Sequence, residues 1–190
     1  QAAGHKIGQW IEQEKPTCEK DGFALRQCKR CGKTERKTID ATGHNFSEWR
    51  QEDDNYVREC SGCGKTEKLS NADYYFLEAE KYRSGEGANM DLQKAYDFYF
   101  KSAELRNAEA MNWCGRFWEV GWGKKKSINE AIKWYRRAAE LKNSSALNNL
   151  GVLYEYGSGV PANEALAEEY YRKALEIEPQ NATVKNNLYR

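Results

Sequence analysis

The C-terminal two thirds of the chain repeats one pattern of apolar, small and polar positions three times, with a period of 36 residues. Residues of similar type return in phase at Tyr82, Trp118 and Tyr154, at Gly85, Gly121 and Gly157, at Ala95, Ala131 and Ala167, and at Tyr99, Tyr135 and Tyr171. A fixed period of this size is typical of helical arrays, in which each unit buries its apolar face against its neighbours.

Each repeat has the pattern of two short helices joined by a glycine turn. In the central copy, apolar residues recur at three- and four-residue spacing from Trp113 to Trp118, which marks one face of a first helix. Gly121 ends this helix, because glycine adopts the left-handed backbone conformation of helix ends without strain. Ser127 begins a second helix, and Glu130 completes a capping box. The predicted core positions of this second helix are Ala131, Ile132, Trp134, Tyr135, Ala138 and Leu141, and Asn143 is predicted to end it.

Two segments of the repeats carry a family resemblance. Residues 146–160 read Ala-Leu-Asn-Asn-Leu-Gly-Val-Leu-Tyr-Glu-Tyr-Gly-Ser-Gly-Val, and residues 131–139 read Ala-Ile-Lys-Trp-Tyr-Arg-Arg-Ala-Ala. Both resemble the Sel-one-like repeat, a relative of the tetratricopeptide repeat. The resemblance covers roughly residues 71–190 and implies an all-α solenoid of helix hairpins that binds proteins or peptides. The implied units are repeats at about 74–109, 110–145 and 146–181 and a terminal helix at 182–190.

Residues 1–70 have a different pattern, with many turn residues, short alternating stretches and no helical period. They contain a repeat of their own. His5 returns as His44, and the Cys-x-x-Cys-Gly-Lys-Thr-Glu segment at 28–35 returns at 60–67. Because both histidines of the chain occupy equivalent places in the two copies, we expect them to be used. The pattern predicts a small β module of two units, at about residues 1–42 and 43–70.

The cysteine and histidine residues of this module have the types and spacing of zinc ligands. A Cys-x-x-Cys-Gly turn, called a knuckle below, directs two thiolates to one point, and zinc takes four such ligands in a tetrahedron. The candidate ligands of a first site are His5, Cys18, Cys28 and Cys31. Those of a second site are His44, Cys60 and Cys63, with a fourth ligand that the spacing does not identify, Asp53 or Asp54 being candidates. An alternative pairing closes the first site with His44 instead of His5.

The first part of the chain also resembles a known kind of module. Pro16-Thr-Cys-Glu-Lys-Asp-Gly22, the first knuckle and Ile39-Asp-Ala-Thr-Gly-His44 resemble tandem zinc-ribbon-like modules of Gram-positive bacterial proteins. Those modules run Cys, Cys-x-x-Cys, Gly-His, so the resemblance implies that His44 closes the first site and that residues 1–5 are the tail of a lost module. One or two structural zinc ions are predicted in either pairing. Disulfides are an alternative use of the cysteines if the protein is exported. The sixth cysteine, Cys114, lies on a predicted helix and is interpreted as a small buried hydrophobic residue.

Composition and charge narrow the possible partners. The formal net charge of +1 gives no general reason to expect nucleic acid or an anionic membrane. No apolar run approaches the roughly 18 residues of a membrane helix, and no signal peptide is visible. The expected location is the cytoplasm. Because the chain begins at a glutamine we expect a fragment, and an exported or cell-surface protein is the alternative if an upstream leader was removed.

The preferred interpretation is a non-enzymatic scaffold that binds a protein or peptide on the concave surface of the solenoid. Catalysis is not predicted, because both histidines are assigned to metal, which leaves no evident general base. Polar positions of the first helices outside the buried stripe are predicted to contact the partner, as is an aromatic residue at a turn: Asn112, Arg116, Asn148 and Trp122.

The alternative function is a zinc-ribbon adaptor that binds nucleic acid while its solenoid recruits other proteins. Basic residues surround the first knuckle at Lys29, Arg30, Lys33, Arg36 and Lys37. A solvated surface is the preferred interpretation of this cluster, because aromatic residues that would stack on bases are not interleaved with the charges.

Overall fold

The computed structural model describes residues 8–123 and 125–190. The chain separates into two compact units, Gln1–Lys68 and Leu69–Arg190. His5, a predicted metal ligand, lies outside the described residues.

The first unit contains two small three-stranded sheets, each in consecutive strand order. The first comprises β1 (Ile11–Glu14), β2 (Gly22–Gln27) and β3 (Thr34–Ile39), all antiparallel. The second comprises β4 (Arg50–Glu52), β5 (Asn55–Glu59) and β6 (Thr66–Ser70), with β4 and β5 antiparallel. Each knuckle is the turn between the last two strands of its sheet.

In each of the two sheets an arginine packs on a tryptophan ring, but few side chains of this unit are buried. Arg26 lies 4.5 Å from the ring centre of Trp10, and Arg58 lies 4.6 Å from that of Trp49. Among the described residues of this unit, the buried hydrophobic side chains are Ala24, Cys28, Val57 and Cys60. So small a core contributes little to folding, and small domains of this kind usually depend on disulfides or metal ions for stability.

The second unit is an array of seven helices in the described part of the chain. They are α1 (Asn71–Ser84), α2 (Leu92–Glu104), α3 (Ala108–Val120), α4 (Ile128–Glu140), α5 (Ser144–Tyr156), α6 (Glu164–Ile177) and α7 (Ala182–Leu188). Each helix packs against the next one along the chain, so the predicted helix hairpins and their stacking are confirmed. No helix of the described chain combines the length and the apolar character needed to span a membrane.

The ends of the helices follow from their capping residues. The Ser127 hydroxyl accepts a hydrogen bond from the Glu130 amide at the start of α4, as predicted. The return bond of the capping box is not formed, because the Ser127 amide donates to Trp118 O at 2.8 Å. Gly121 and Gly157 end α3 and α5 with φ values of 86° and 62°. Asn143, which the sequence places at the end of α4, instead begins α5, because its side chain accepts the Ala146 amide.

In the second and third repeats, a tyrosine ring of the second helix packs directly against a glycine of the first helix. An ideal Cβ at Gly115 would lie 2.5 Å from Tyr135 Cε1, and one at Gly151 would lie 2.5 Å from Tyr171 Cε1. The Tyr171 hydroxyl donates to Glu155 Oε2 at 2.6 Å, so the buried ring also has its polar atom satisfied. The helices of a hairpin can approach this closely only because glycine has no side chain. Cys114 is completely buried in the same core, as predicted.

Candidate functional site

Four potential metal ligands meet in the first unit. The ligand atoms of Cys18, His44, Cys60 and Cys63 all lie within 4.8 Å of one another. Cys18 Sγ is 3.6 Å from Cys60 Sγ, and Cys63 Sγ is 3.4 Å from His44 Nδ1. Tetrahedral zinc with Zn–S bonds of about 2.3 Å places two sulfurs about 3.8 Å apart, whereas a disulfide would bring them to about 2.05 Å. The side chains therefore fit a tetrahedral metal site.

Backbone hydrogen bonds place each ligand. Cys60 donates its amide to Lys65 O at 2.8 Å, and Gly64 donates to Cys60 O at 2.9 Å, which closes the knuckle around the sulfurs. The β1–β2 loop that carries Cys18 is tied to the loop that carries His44, because Thr42 donates to Thr17 O at 2.9 Å. The site thus joins the loop before β2 to the knuckle between β5 and β6.

This arrangement differs from both pairings considered from the sequence. Each of them places Cys18 with the first knuckle, but the structure places it with His44 and the second knuckle, as the fourth member of that cluster. Asp53 and Asp54, the suggested fourth ligands, are not in the cluster, and neither is the first knuckle. The spacing along the chain was a poor guide because it fixes how far a cysteine can reach, not which of two similar turns faces it.

A glycine in the second knuckle is the sequence signal for this pairing. An ideal Cβ at Gly62 would lie 3.1 Å from Cys18 Sγ, which is tighter than ordinary van der Waals contact. The equivalent position of the first knuckle is Arg30. The two knuckles therefore differ at the position that Cys18 approaches.

Two charged residues that the sequence analysis did not identify support the His44 ring. His44 Nε2 is 3.1 Å from Glu19 Oε1, and Lys65 Nζ donates to the same carboxylate oxygen at 3.0 Å. When Nδ1 binds a metal ion among the sulfurs, Nε2 carries the ring proton and donates a hydrogen bond to Glu19. Hydrogen bonds from Lys65 and then His44 lower the pKa of Glu19, which keeps the carboxylate ionised. Such a carboxylate–histidine pair commonly orients a metal-binding imidazole.

The pKa values of two thiols in the cluster are shifted in opposite directions. The contact with His44 is the largest of the effects that lower the pKa of Cys60 to about 6. The hydrogen bond with Cys60 is the largest of those that raise the pKa of Cys18 to about 11. Cys60 is therefore a thiolate near neutral pH and accepts a hydrogen bond from the Cys18 thiol. A bound cation would displace the proton of that thiol.

Removing the Glu19 carboxylate should weaken metal binding without removing a ligand. Glu19→Gln is expected to lower zinc affinity about 10- to 100-fold, because the neutral amide oxygen accepts the hydrogen bond of His44 more weakly than the carboxylate that orients the ring. Competition with a chromophoric chelator measures this affinity. Glu12→Gln, on exposed β1, is the matched control and should bind zinc as the parent protein does. Equal affinities for the two variants would show that Glu19 does not position His44.

The second unit has a groove along its first helices. A concavity of about 260 Å³ crosses α3, α5 and α7. Three of the predicted partner-binding residues, Asn112, Arg116 and Asn148, line it, as do Asn149 and Thr183. The sequence pattern therefore brings these three side chains to one surface.

Asparagine pairs tie the first helices together along this groove. Asn149 Nδ2 donates to Asn112 Oδ1 at 2.9 Å, and Asn187 Nδ2 donates to Asn148 Oδ1 at 2.8 Å. Asn112 was expected to have no packing role, but only 4% of its surface is exposed and it also donates to Glu109 Oε1 at 3.4 Å. Its buried amide needs partners, so Asn112 stabilises the array as well as lining the groove.

The fourth predicted residue, Trp122, lies beside the groove and not at a free turn apex. Its ring is half-buried and meets Phe117 edge-on, with ring centres 5.5 Å apart. Arg116 lies 5.9 Å from the Trp122 ring centre. Trp122 therefore folds back on α3, where it contacts one of the groove residues.

The stacked helix hairpins and the groove along their first helices define a helical repeat protein of the tetratricopeptide type. The family model of the Sel1 repeat matches residues 82–107, 108–143 and 144–176, together half of the chain. The chain therefore belongs to the Sel1 repeat family, which confirms the resemblance of its helical part. Sel1 repeat proteins are generally protein–protein interaction scaffolds and are typically non-enzymatic. The comparison with curated proteins gives no match.

Solved structures of bacterial repeat proteins resemble the chain. A Sel1 repeat protein from Oxalobacter formigenes is 28% identical with a TM-score of 0.58, over 62% of this chain and 47% of that chain. The Escherichia coli protective antigen c5321, with an SLR fold, is 31% identical with a TM-score of 0.58, over 62% of this chain and 25% of that chain. Helicobacter pylori cysteine rich protein B shares the fold at 23% identity and a TM-score of 0.50, over 60% of this chain and 89% of that chain. The chain spans about half the length of the first of these relatives and about a quarter of the length of the second.

Proposed function

We propose that this protein is a non-enzymatic scaffold that binds a protein or peptide in the groove of its helical unit. The main observation that supports this proposal is that three residues on successive first helices, Asn112, Arg116 and Asn148, line one concavity. The asparagine pairs hold this surface in place before a partner arrives. A rigid receptor loses little conformational entropy on binding, so more of the contact energy remains as affinity.

We further propose that the ion of the first unit is zinc and that its role is structural. Three thiolates and one imidazole are a donor set that zinc prefers. Four protein ligands complete a tetrahedron, so no position is left open for a substrate. The small core of the unit explains why an ion is needed. A second zinc ion bound by the remaining predicted ligands, His5, Cys28 and Cys31, with a fourth ligand that is still to be identified, is part of the same proposal.

The packing of the first unit favours this function over nucleic-acid binding. Arg26 covers the Trp10 ring, and Arg58 covers both the Trp49 ring and the Phe46 ring, at 4.6 Å from each of the latter two. Single-stranded nucleic acids need exposed aromatic faces on which bases stack. Because an arginine covers one face of each of these rings, less aromatic surface is left on which bases could stack.

The proposal predicts that substitutions in the groove weaken partner binding. The intact protein is used to isolate its partner from the source cells, and the affinity of the purified pair is then measured by calorimetry. Combining Arg116→Ala with Asn148→Ala is expected to weaken binding by about 1–3 kcal/mol, the range of interface hot spots. The melting temperature should fall only slightly, because Arg116 is exposed and Asn148, which loses its hydrogen bond from Asn187, is only half-buried.

A matched change in the first unit tests the alternative function. Lys29→Gln, Lys33→Gln and Lys37→Gln together remove three exposed charges near the first knuckle. This variant should retain the protein partner. If it loses binding and the groove variant does not, and if the parent affinity falls steeply with salt, the nucleic-acid adaptor is the correct function.

A further inference from the structure

The groove holds an arginine whose charge has no carboxylate partner in the described part of the chain. Arg83 pairs with Glu80, and Arg137 pairs with Glu104 at 3.1 Å. Arg116 differs, because among the described residues its side chain has aromatic contacts and no ion pair. It is exposed and lines the concavity. Its guanidinium donors are therefore available to a ligand in the groove.

Two indole rings hold Arg116 at this place. Its guanidinium carbon lies 5.4 Å from the ring centre of Trp113 and 5.9 Å from that of Trp122. Trp113 is itself stacked on Tyr99, with ring centres 5.6 Å apart and planes 12° apart, and Trp122 packs against Phe117. Because packed rings support the guanidinium, less side-chain freedom is lost when it binds a ligand.

The acidic residues nearest to Arg116 on α3 are engaged by neutral donors. Glu109 Oε2 accepts the Asn143 amide group at 2.8 Å, and Glu119 Oε2 accepts the Tyr135 hydroxyl at 2.5 Å. Glu109 also lines the concavity, and its other oxygen, Oε1, accepts from Asn112 at 3.4 Å. Both Glu109 oxygens thus have donors within the protein, whereas the Arg116 guanidinium has no hydrogen-bond acceptor among the described residues and can bind one supplied by a partner.

Amide groups continue the polar surface from Arg116 towards α7. Each asparagine pair uses one atom of each partner and leaves the Asn148 amide nitrogen and the Asn149 amide oxygen without a hydrogen bond among the described residues. Both residues line the same concavity. A side-chain donor and acceptor beside each other match the carbonyl and amide of an extended main chain.

We propose that the groove binds an extended peptide segment that places an acidic side chain on Arg116. The planar guanidinium and a carboxylate form two parallel hydrogen bonds, while Asn148 and Asn149 contact the main chain of the segment. Because the concavity crosses three helices, the segment passes through it, and the carboxylate comes from an aspartate or glutamate within the segment. This inference rests on the proposed binding function and names the chemistry of the partner.

The test uses the full-length, zinc-loaded protein and a displayed library of short random peptides that are anchored at both ends. The enriched peptides should share one aspartate or glutamate position. A synthetic peptide from this set should bind about tenfold more weakly when that acid is changed to its amide, because the charged pair on Arg116 is lost. Arg116→Gln should produce a similar loss, and combining the two changes should add little to it.

Two control variants test whether the loss of binding is specific to Arg116 or follows from a general change in charge or folding. Arg172→Gln removes an exposed arginine on α6 that is ion-paired with Glu168, and it should bind the peptide as the parent protein does. Arg116→Lys keeps the charge but lacks the planar fork, so its affinity should fall between those of the parent protein and Arg116→Gln.

The outcomes separate this inference from the proposed function. If the enriched peptides lack a shared acid, or bind Arg116→Gln as tightly as the parent, the inference is wrong and peptide binding itself stands. If no peptide is enriched, the inference is also wrong, and the proposed function is then decided by the partner isolated from the source cells.

Discussion

Replacing Cys18 with serine is expected to strip the metal from the second knuckle and to unfold the segment around it. Cys18 supplies one of the four ligand atoms that the structure brings together, although it lies 42 residues before Cys60. Binding of a structural zinc ion contributes on the order of 10 kcal/mol to the folding of such modules. Elemental analysis should show less zinc per chain, and the amide NMR signals of residues 44–65 should lose their dispersion.

The matched control for this prediction is Cys28→Ser in the first knuckle. It should leave the signals of residues 44–65 in place, since Cys28 is not in the cluster. The helical unit should remain folded in both variants, as judged by circular dichroism. If Cys18→Ser instead disturbs residues 28–33 and leaves residues 44–65 folded, Cys18 belongs to the first knuckle, as the spacing in the sequence suggested.

A methyl group at Gly151 is expected to destabilise the helical unit by about 2 kcal/mol. The new Cβ of Gly151→Ala would lie 2.5 Å from Tyr171 Cε1, and the buried ring would have to move. Overpacking of this kind costs about 1–3 kcal/mol, and the displaced ring would also lose its hydrogen bond to Glu155. The higher helix propensity of alanine returns only about 1 kcal/mol. Chemical denaturation monitored by circular dichroism measures the change.

A second substitution tests whether the tyrosine ring causes the loss. Tyr171→Leu removes the ring that the methyl group would strike. The pair Gly151→Ala and Tyr171→Leu should therefore lose less stability than the sum of the two single changes. Additive losses would show that the close approach of Tyr171 is not what requires a glycine at this position.

Much of the helical unit could be predicted from short stretches of sequence. The Ser127 cap, the Gly121 turn and the buried face of α4 each depend on residues within about one helical turn of one another. The family match at 82–176 confirms the repeats that these signals predict. The beginning of α5 was misplaced, because asparagine suits both the end of one helix and the start of the next, and Asn143 serves the second purpose.

The candidate sites were only partly predictable. The residue types for a metal site and the polar positions of the groove were visible, and Asn112, Arg116 and Asn148 do share one concavity. The burial of Asn112 was not visible, because its partner Asn149, which donates to it, belongs to the next repeat. The support of His44 by Glu19 and Lys65 was missed for the same reason, since those residues lie 46 positions apart along the chain.

The sequence by itself determined the repeats, the helix hairpins, the knuckle turns and the kinds of side chain available for metal and partner binding. These features depend on backbone preferences and on neighbours close along the chain. Only the tertiary structure decided that Cys18 faces the second knuckle and that Trp113 and Trp122 flank Arg116. Such contacts form when distant loops and adjacent elements pack together, and which of several similar partners a side chain then meets is set by the packing of the whole unit.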